Sequence, residues 1–472
     1  MVTPLIHLGL GFDDLLVPAL VEAGYATKDL ILVARTDGNL SWVRRHAPDA
    51  TVVRLPYQQA RNANVVSGLA PHAALQRAAD GVGMSIVDLL VSERAVRRNR
   101  VDTAMNFLNL AAEQLESVIA GRGPIFALAE FTVTSELLTA GLVTHHGGRA
   151  LWPRTMRMPA GRFGLWGAPL GITLFRRSVP DPQAEAAAEA ALRQWRDQPR
   201  RAFDSASTLK VEGARELWRL ASDRIRELAV DRGRNLQLPR PSDYPRLAWL
   251  NPLKARRNLW EHGRRKWDDV PQRYVFMPLH VQPESSVDVM GQDWRDQPYT
   301  ARTLADALVG TGITLAVKEH AHFIWRRDPD FWPPFDSHPN IALVSPHLGS
   351  GELAAGAVFT LTATGTVGLE GGLRGQPVVS GAQMPWTALG NVAHLARPDD
   401  LPEFVATRGW ERLHEERERI DDWFVRDYAR HSWPGVVLDP PRFPQVLERD
   451  NIRTVGRAFA EAIATIEVTA GS

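Results

Sequence analysis

The chain has 472 residues, 44% of them hydrophobic and 23% charged, which excludes a disordered chain and is too long for one ordinary core. Its 55 basic and 54 acidic side chains leave a formal net charge of +1, which argues against a general nucleic-acid binder. With 0 cysteines, disulfides, thiolate nucleophiles and cysteine zinc sites are all excluded.

Residues 4–11, PLIHLGLG, read as a buried strand ending in glycine, and DDLLVPALVEAG as a helix with Asp13 or Asp14 near its cap. The start has no basic segment, and those aspartates interrupt its apolar run early, so no secretory leader is expected. No run reaches the roughly 18 apolar residues of a membrane span. The default location is the cytoplasm, with the inner face of the membrane as an option. DLILVAR and TVVRLP are further strands, followed by helical patterns at 66–82 and 103–121. PIFALAEFT is a strand, and TSELLTAGLVTHHG a helix stopped by glycine. This alternation predicts a parallel, doubly wound sheet over 1–177.

Residues 178–271 differ. AEAAAEAALRQWRDQ is helical by propensity, and the stretch around Trp249, Trp260 and Trp267 is locally basic. It reads as a helical, basic connection; it also suits the headgroups of anionic lipids, against the plainer reading of an exposed helix with its tryptophans packed inward. From 272 to 400, strands RYVFMPLHV, TLAVKEH, IALVSP, VFTLTA and PVVSG alternate again with helices. Residues 401–472 read as a helical tail.

Parallel strands bring their following loops to one carboxyl edge, where open α/β sheets bind ligands. In 272–400 those loops carry hydroxyls, a cation, an imidazole, glycines and a carboxylate, a set suited to a phosphorylated nucleotide. TATGTVGLEGG is the strongest signal: Thr364, Gly365 and Thr366 end a strand and open a helix whose amides face outward. Its plain alternative is a strand–helix turn with a threonine cap. VKEHAHF places Lys318 and His320 just past a strand, where they can neutralise and donate to phosphate. In HVQPESSVD, Ser285 and Ser286 can bind phosphate or simply cap a helix, and Gln282 and Glu284 are candidate contacts to base or sugar. In the first half, Glu130 ends a strand at the expected edge and is the first candidate for a general base. Asp13 and Asp14 come second, and they can equally be helix caps. Arg154, Arg157 and Arg162 can bind an anionic acceptor or stand solvated on a loop. No carboxylate–histidine spacing calls for a metal, His145 and His146 included.

The blocks PLHVQPESSVDV, VKEH, NIALVSP and TATGTVGLEGGLRGQPVV, with FALAEFTVTSELLTAGL and RMPAGRFGLW in the first half, resemble the bacterial capsule polysaccharide biosynthesis proteins. That family is related to the Kdo-transferring capsule enzymes, which are GT-B glycosyltransferases. The resemblance implies two Rossmann-like domains facing a cleft, with a tail that crosses back to the first. It implies transfer from a nucleotide sugar, CMP-linked and Kdo-like or UDP-linked, to a surface polysaccharide or lipid-linked glycan, without cofactor or required metal. Glu370 then falls where relatives hold the donor ribose. Glu130 and His320 become the catalytic residues, and Asp13, Asp14, Arg157 and Arg162 the acceptor contacts. The chain has His320-Ala321 where relatives often carry His-Pro. A CDP-alditol phosphotransferase of similar fold and a non-catalytic glycan-binding member are the alternatives.

Overall fold

The computed structural model describes residues 2–9, 12–62, 70–93, 101–167, 173–197, 257, 265–282, 284–320, 323, 327, 329–415, 422–438, 440 and 443–470. Most of the basic, tryptophan-rich stretch lies outside them. The described residues divide into two units: those up to Ala188 together with those from Asp427 onward, and those between Glu189 and Arg426. The expected tail is thus shared, residues 401–426 going with unit 2 and 427–472 with unit 1.

Unit 1 holds a seven-stranded sheet in the order β13-β6-β5-β4-β1-β2-β3. β1 (Thr3–His7), β2 (Ile31–Ala34), β3 (Thr51–Arg54), β4 (Ile125–Leu128) and the start of β5 (Arg149–Thr155) are parallel. β1, β2 and β4 are buried along nearly their whole length, as strands covered on both faces must be. The outer edge departs from the expected all-parallel sheet: β6 (Arg162–Gly167) and β13 (Trp433–Pro434) run antiparallel. The stretch that reads as an arginine loop is therefore a hairpin. Trp152 pairs with Trp166 and Pro153 with Leu165. Pro153 lies beyond Leu151, the last residue of β5 paired to β4, so its missing N–H costs no bond on that side.

The helices follow from local chemistry. In α1 (Asp13–Glu22) two acidic residues occupy the first turn, where the helix dipole favours them. α2 (Asp37–His46) opens with a capping box between Thr36 and Asn39 and closes on Arg44, Arg45 and His46. α3 (Ala73–Val82), α4 (Val101–Ile119) and α5 (Thr134–His145) pack on one another, and α10 (Arg449–Ala470) packs on α1. Ile6, Leu32, Phe126, Phe163, Trp433 and Phe459 share one core there.

Unit 2 holds a six-stranded sheet, β12-β11-β10-β7-β8-β9. β7 (Tyr274–Pro278), β8 (Thr314–Lys318), β9 (Ile341–Val344), β10 (Thr360–Thr362), β11 (Val378–Ser380) and β12 (Val392–His394) are all parallel. Its helices include α6 (Ser285–Asp288), α7 (Gln297–Ala307), α8 (Ser350–Gly356) and α9 (Thr366–Leu373). Each unit is thus a Rossmann-like α/β layer structure. In unit 1 the chain starts at β1, moves outward to β3 and returns to β4 on β1's other side. In unit 2 it starts at β7, moves to β9 and returns to β10. The points of reversal, β1/β4 and β7/β10, are where such sheets open a crevice. Among the described residues no helix is long and apolar enough to cross a membrane.

Helices α3 and α5 meet backbone to backbone. A methyl group on Gly141 would stand 1.9 Å from the Ala78 carbonyl oxygen, and one on Gly81 2.1 Å from that of Gly141. Gly141→Ala must force these helices apart, at a cost of about 1–3 kcal/mol or more. A fall in the thermal midpoint of several degrees is expected, and an unchanged midpoint would contradict the close crossing.

Candidate functional site

At unit 2's reversal point, the loop after β7 is bound to the loop after β10 by one imidazole. His280 Nε2 accepts from the Ala363 amide at 3.1 Å and lies 3.1 Å from Thr362 Oγ1. The same hydroxyl oxygen accepts from the Gly365 amide at 2.9 Å. A side chain at Gly365 would put its Cβ 2.6 Å from Thr362 Oγ1, so the turn admits only glycine. Behind His280 lies a fixed polar frame. The buried Gln297 amide accepts from the His280 N–H at 2.7 Å and donates to its carbonyl at 3.2 Å. Arg327 donates to the same carbonyl and pairs with Glu319 at 2.9 Å, with 5% and 0% of the two side chains exposed. Removing one partner of such a pair would strand a buried charge, at about 3–5 kcal/mol. Glu319 is therefore part of the frame.

On that frame stand the residues expected from the sequence. Lys318 ends β8, is 6% exposed, and donates from Nζ to Ser350 Oγ at 3.1 Å. His320 is exposed, with its amide donating to Glu319 at 2.6 Å. Its charge acts on His280, which places it beside the same loop. Thr364 is 5% exposed and its hydroxyl is without a protein partner. Gly365 is the N-cap of α9 and supplies no side chain, so the first-turn amides of Thr366 and Val367 have no carbonyl a turn back to bond. Gln282 donates to Asp288 at 3.1 Å and accepts from Gln297 at 3.1 Å. Glu284 caps the short α6, and Ser286 donates to its carboxylate at 2.8 Å, with Ser285 as the first helical residue. Glu370 lies one turn into α9, half-buried.

Unit 1's reversal point holds a second constellation. A cavity of about 20 Å³ is lined by His7, Gly9, Arg35, Glu130, Glu136 and Pro153, among others. His7 ends β1, Arg35 follows β2 and Glu130 follows β4, so three parallel strands deliver them to one edge. Glu136, on α5, pairs with Arg35 and accepts from the Thr132 amide at 2.8 Å. His7 is 4% exposed, and burial, with Arg35 second, holds its imidazole well below its usual range. The other expected residues are spread more widely. Asp13 is buried, which raises its carboxyl above the usual range. Asp14 accepts from Trp42 Nε1 at 2.7 Å, tying α1 to α2. Arg157 is exposed beyond the end of β5. Arg154 lies within the field of Glu130 and over the Trp152 ring at 4.3 Å. Arg162 spends its guanidinium on Asp181, Ser432 Oγ at 2.7 Å and the Ser432 carbonyl at 2.8 Å, which fastens the segment before β13. Among the described residues no three His, Asp or Glu side chains cluster as a metal would need.

The sequence reading missed His7, Arg35 and Glu136 in unit 1, and His280, Thr362 and Ser350 in unit 2. Both histidines close or follow an apolar run that starts a unit, and that was the available signal.

No family model and no curated protein matches this chain. Solved structures similar to it include UDP-GlcNAc 2-epimerase from Neisseria meningitidis bound to UDP-GlcNAc, at 11% identity, 99% of this chain, 100% of that one and a TM-score of 0.21. Anabaena Alr3699/HepE in complex with UDP is 10% identical over 98% of this chain and 100% of that one, with a TM-score of 0.27. The calicheamicin glycosyltransferase CalG4 is 14% identical over 99% and 98%, with a TM-score of 0.22. At such values the likeness assigns no role to any residue.

Burial first, then the fields of His320 and Arg327, take the His280 imidazole from 6.5 to about 4. The unfolded chain therefore binds this proton more tightly. Stability due to neutral His280 is complete above pH 6.5 and is lost as pH falls toward 4, by about 3 kcal/mol. Urea midpoints should fall across that window, and less so in His280→Gln, whose amide oxygen accepts without titrating. Identical slopes would show that His280 does not titrate as its burial requires.

Proposed function

We propose that this protein is a glycosyltransferase of the GT-B type. It takes a sugar from a nucleotide-activated donor, CMP-linked and Kdo-like or UDP-linked, and passes it to a surface or capsular polysaccharide or a lipid-linked glycan. Unit 2 holds the donor and unit 1 the acceptor. One observation carries the reading: the Thr364 hydroxyl and the open first turn of α9 stand on the loop that His280 braces, at the reversal point of a parallel sheet, and Lys318 ends β8, the strand next to β7. A fixed cation, a spare hydroxyl and outward amides suit a phosphate, and they would stabilise the charge on a departing nucleotide without reorganising. His320, Ser285 and Ser286 are the further phosphate contacts, with Gln282 and Glu284 toward base or sugar. Glu370 is assigned to the ribose by the resemblance to the capsule family. In unit 1, Glu130 is the base for the acceptor hydroxyl, supported by its place at the strand edge on the wall of the cavity it shares with His7 and Arg35. The exposed Arg157 is the contact for an anionic acceptor.

Calorimetric titration with CMP, CDP and UDP is expected to show one preferred nucleotide. Lys318→Ala should weaken it about tenfold or more, the loss of one charge-assisted hydrogen bond. Binding of none of the three would remove the reading. Glu130→Gln should keep the nucleotide affinity while transfer falls about 10²–10⁴-fold, and full activity would eliminate Glu130 as the base.

A further inference from the structure

The cavity of unit 1 contains a matched pair of unused polar atoms. Thr139 Oγ1 lies 2.7 Å from His7 Nε2 and donates to the Ser135 carbonyl at 3.0 Å. A hydroxyl has one proton to give. We assign that proton to the Ser135 carbonyl, which can only accept, so that His7 Nε2 carries the proton in the bond it shares with Thr139. His7 Nδ1 is then a bare acceptor, and it is buried without a protein partner. Arg35 is turned the other way electrically. One of its terminal nitrogens pairs with Glu136, while Nε, a donor, is also buried without a protein partner. Both residues line the same cavity, whose volume of about 20 Å³ is room for one water-sized group.

An acceptor and a donor left open together select a group that is both. A carboxylate or phosphate oxygen would satisfy Arg35 but meet the lone pair of His7. An ammonium would satisfy His7 but meet the guanidinium. A hydroxyl satisfies both, giving its proton to Nδ1 and accepting from Nε–H. A buried donor or acceptor is costly while it stays unmet, and a hydroxyl in the cavity meets both. Gly9, which also lines the cavity, has a φ of +151°, a conformation that a residue with a side chain rarely adopts.

We propose that His7 Nδ1 and Arg35 Nε form a subsite for one hydroxyl of a neutral sugar or polyol, beside Glu130. This rests on the transferase reading in that the sugar would belong to the acceptor. It deepens that reading by giving unit 1 a neutral-hydroxyl contact at the strand edge, distinct from the exposed Arg157.

The test is long-range proton–nitrogen NMR on the full chain carrying labelled histidine, with His7→Gln supplying the assignment. The free protein should show His7 with Nε2 protonated and Nδ1 bare. Methyl glucoside at millimolar concentrations should shift the Nδ1 signal saturably, and sodium acetate should not. His7→Phe keeps the ring volume and removes both ring nitrogens, so its glucoside affinity should fall about tenfold or more. Several outcomes overturn the subsite: a cavity holding water only, with no glucoside response; a stronger response to acetate; or a protonated Nδ1. Two of the three readouts use the wild-type chain, assigned through His7→Gln, and stand if His7→Phe fails to fold. Titration with CMP, CDP and UDP runs alongside. Binding of none of the three with the glucoside response intact removes the transferase reading alone, and the reverse removes the subsite alone.

Discussion

A neutral imidazole is the interaction on which unit 2 depends. His280 accepts the Ala363 N–H only while Nε2 has no proton, and burial beside Arg327 and His320 keeps it that way. Through Thr362 and Gly365 that single acceptor sets where β10 ends and α9 begins. The positions of Thr364, Gly365 and the first amides of α9 follow from it. The Glu319–Arg327 pair and Gln297 hold the other side of the same residue, so the loop is braced by a closed network rather than by its own turn chemistry. Such preorganisation lets a binding loop meet charge without rearranging.

Unit 1 uses a histidine at the corresponding topological position for a different purpose. His7 also stands at the end of its unit's first strand and is also kept uncharged, but one ring nitrogen remains after the structural bond to Thr139 is made. In His280 the acceptor nitrogen is consumed by backbone. In His7 it is left over, next to Arg35, Glu136 and Glu130. The same residue type at equivalent crevices thus contributes rigidity in one unit and unspent hydrogen-bonding capacity in the other.

Much of the fold was legible because buried parallel strands announce themselves as continuous apolar runs. ILVA, IFAL, TLAVK and IALV were each recognisable, and TATGT marked its own strand–helix junction. The hairpin of β5 and β6 was read as a loop because Pro153, Pro159 and Gly161 are turn and edge residues, and nothing local says that β5 outruns β4. β13 has only Trp433 and Pro434, too short for any period. Of the site, the residues that follow strands directly were found. Those whose role comes from a distant partner were not. His280 acts on an amide 83 residues away, and Arg162 is claimed by Ser432, 270 residues away. Spacing along the chain carries no trace of such pairings.

The edge of sheet 1 bears on how the protein is made. β6 is completed by Trp433, and α1 is covered by α10, whose Gly456 admits the Ala19 carbonyl so closely that a Cβ would stand 2.6 Å from it. The first unit begun by the ribosome is therefore the last to be finished. Its apolar flank stays uncovered while all of unit 2 is synthesised, a sequence separation that slows closure and exposes sticky surface. Unit 2, contiguous apart from its first segment, can reach its native state earlier. During translation, the half expected to hold the nucleotide would then be in place before the half expected to hold the acceptor.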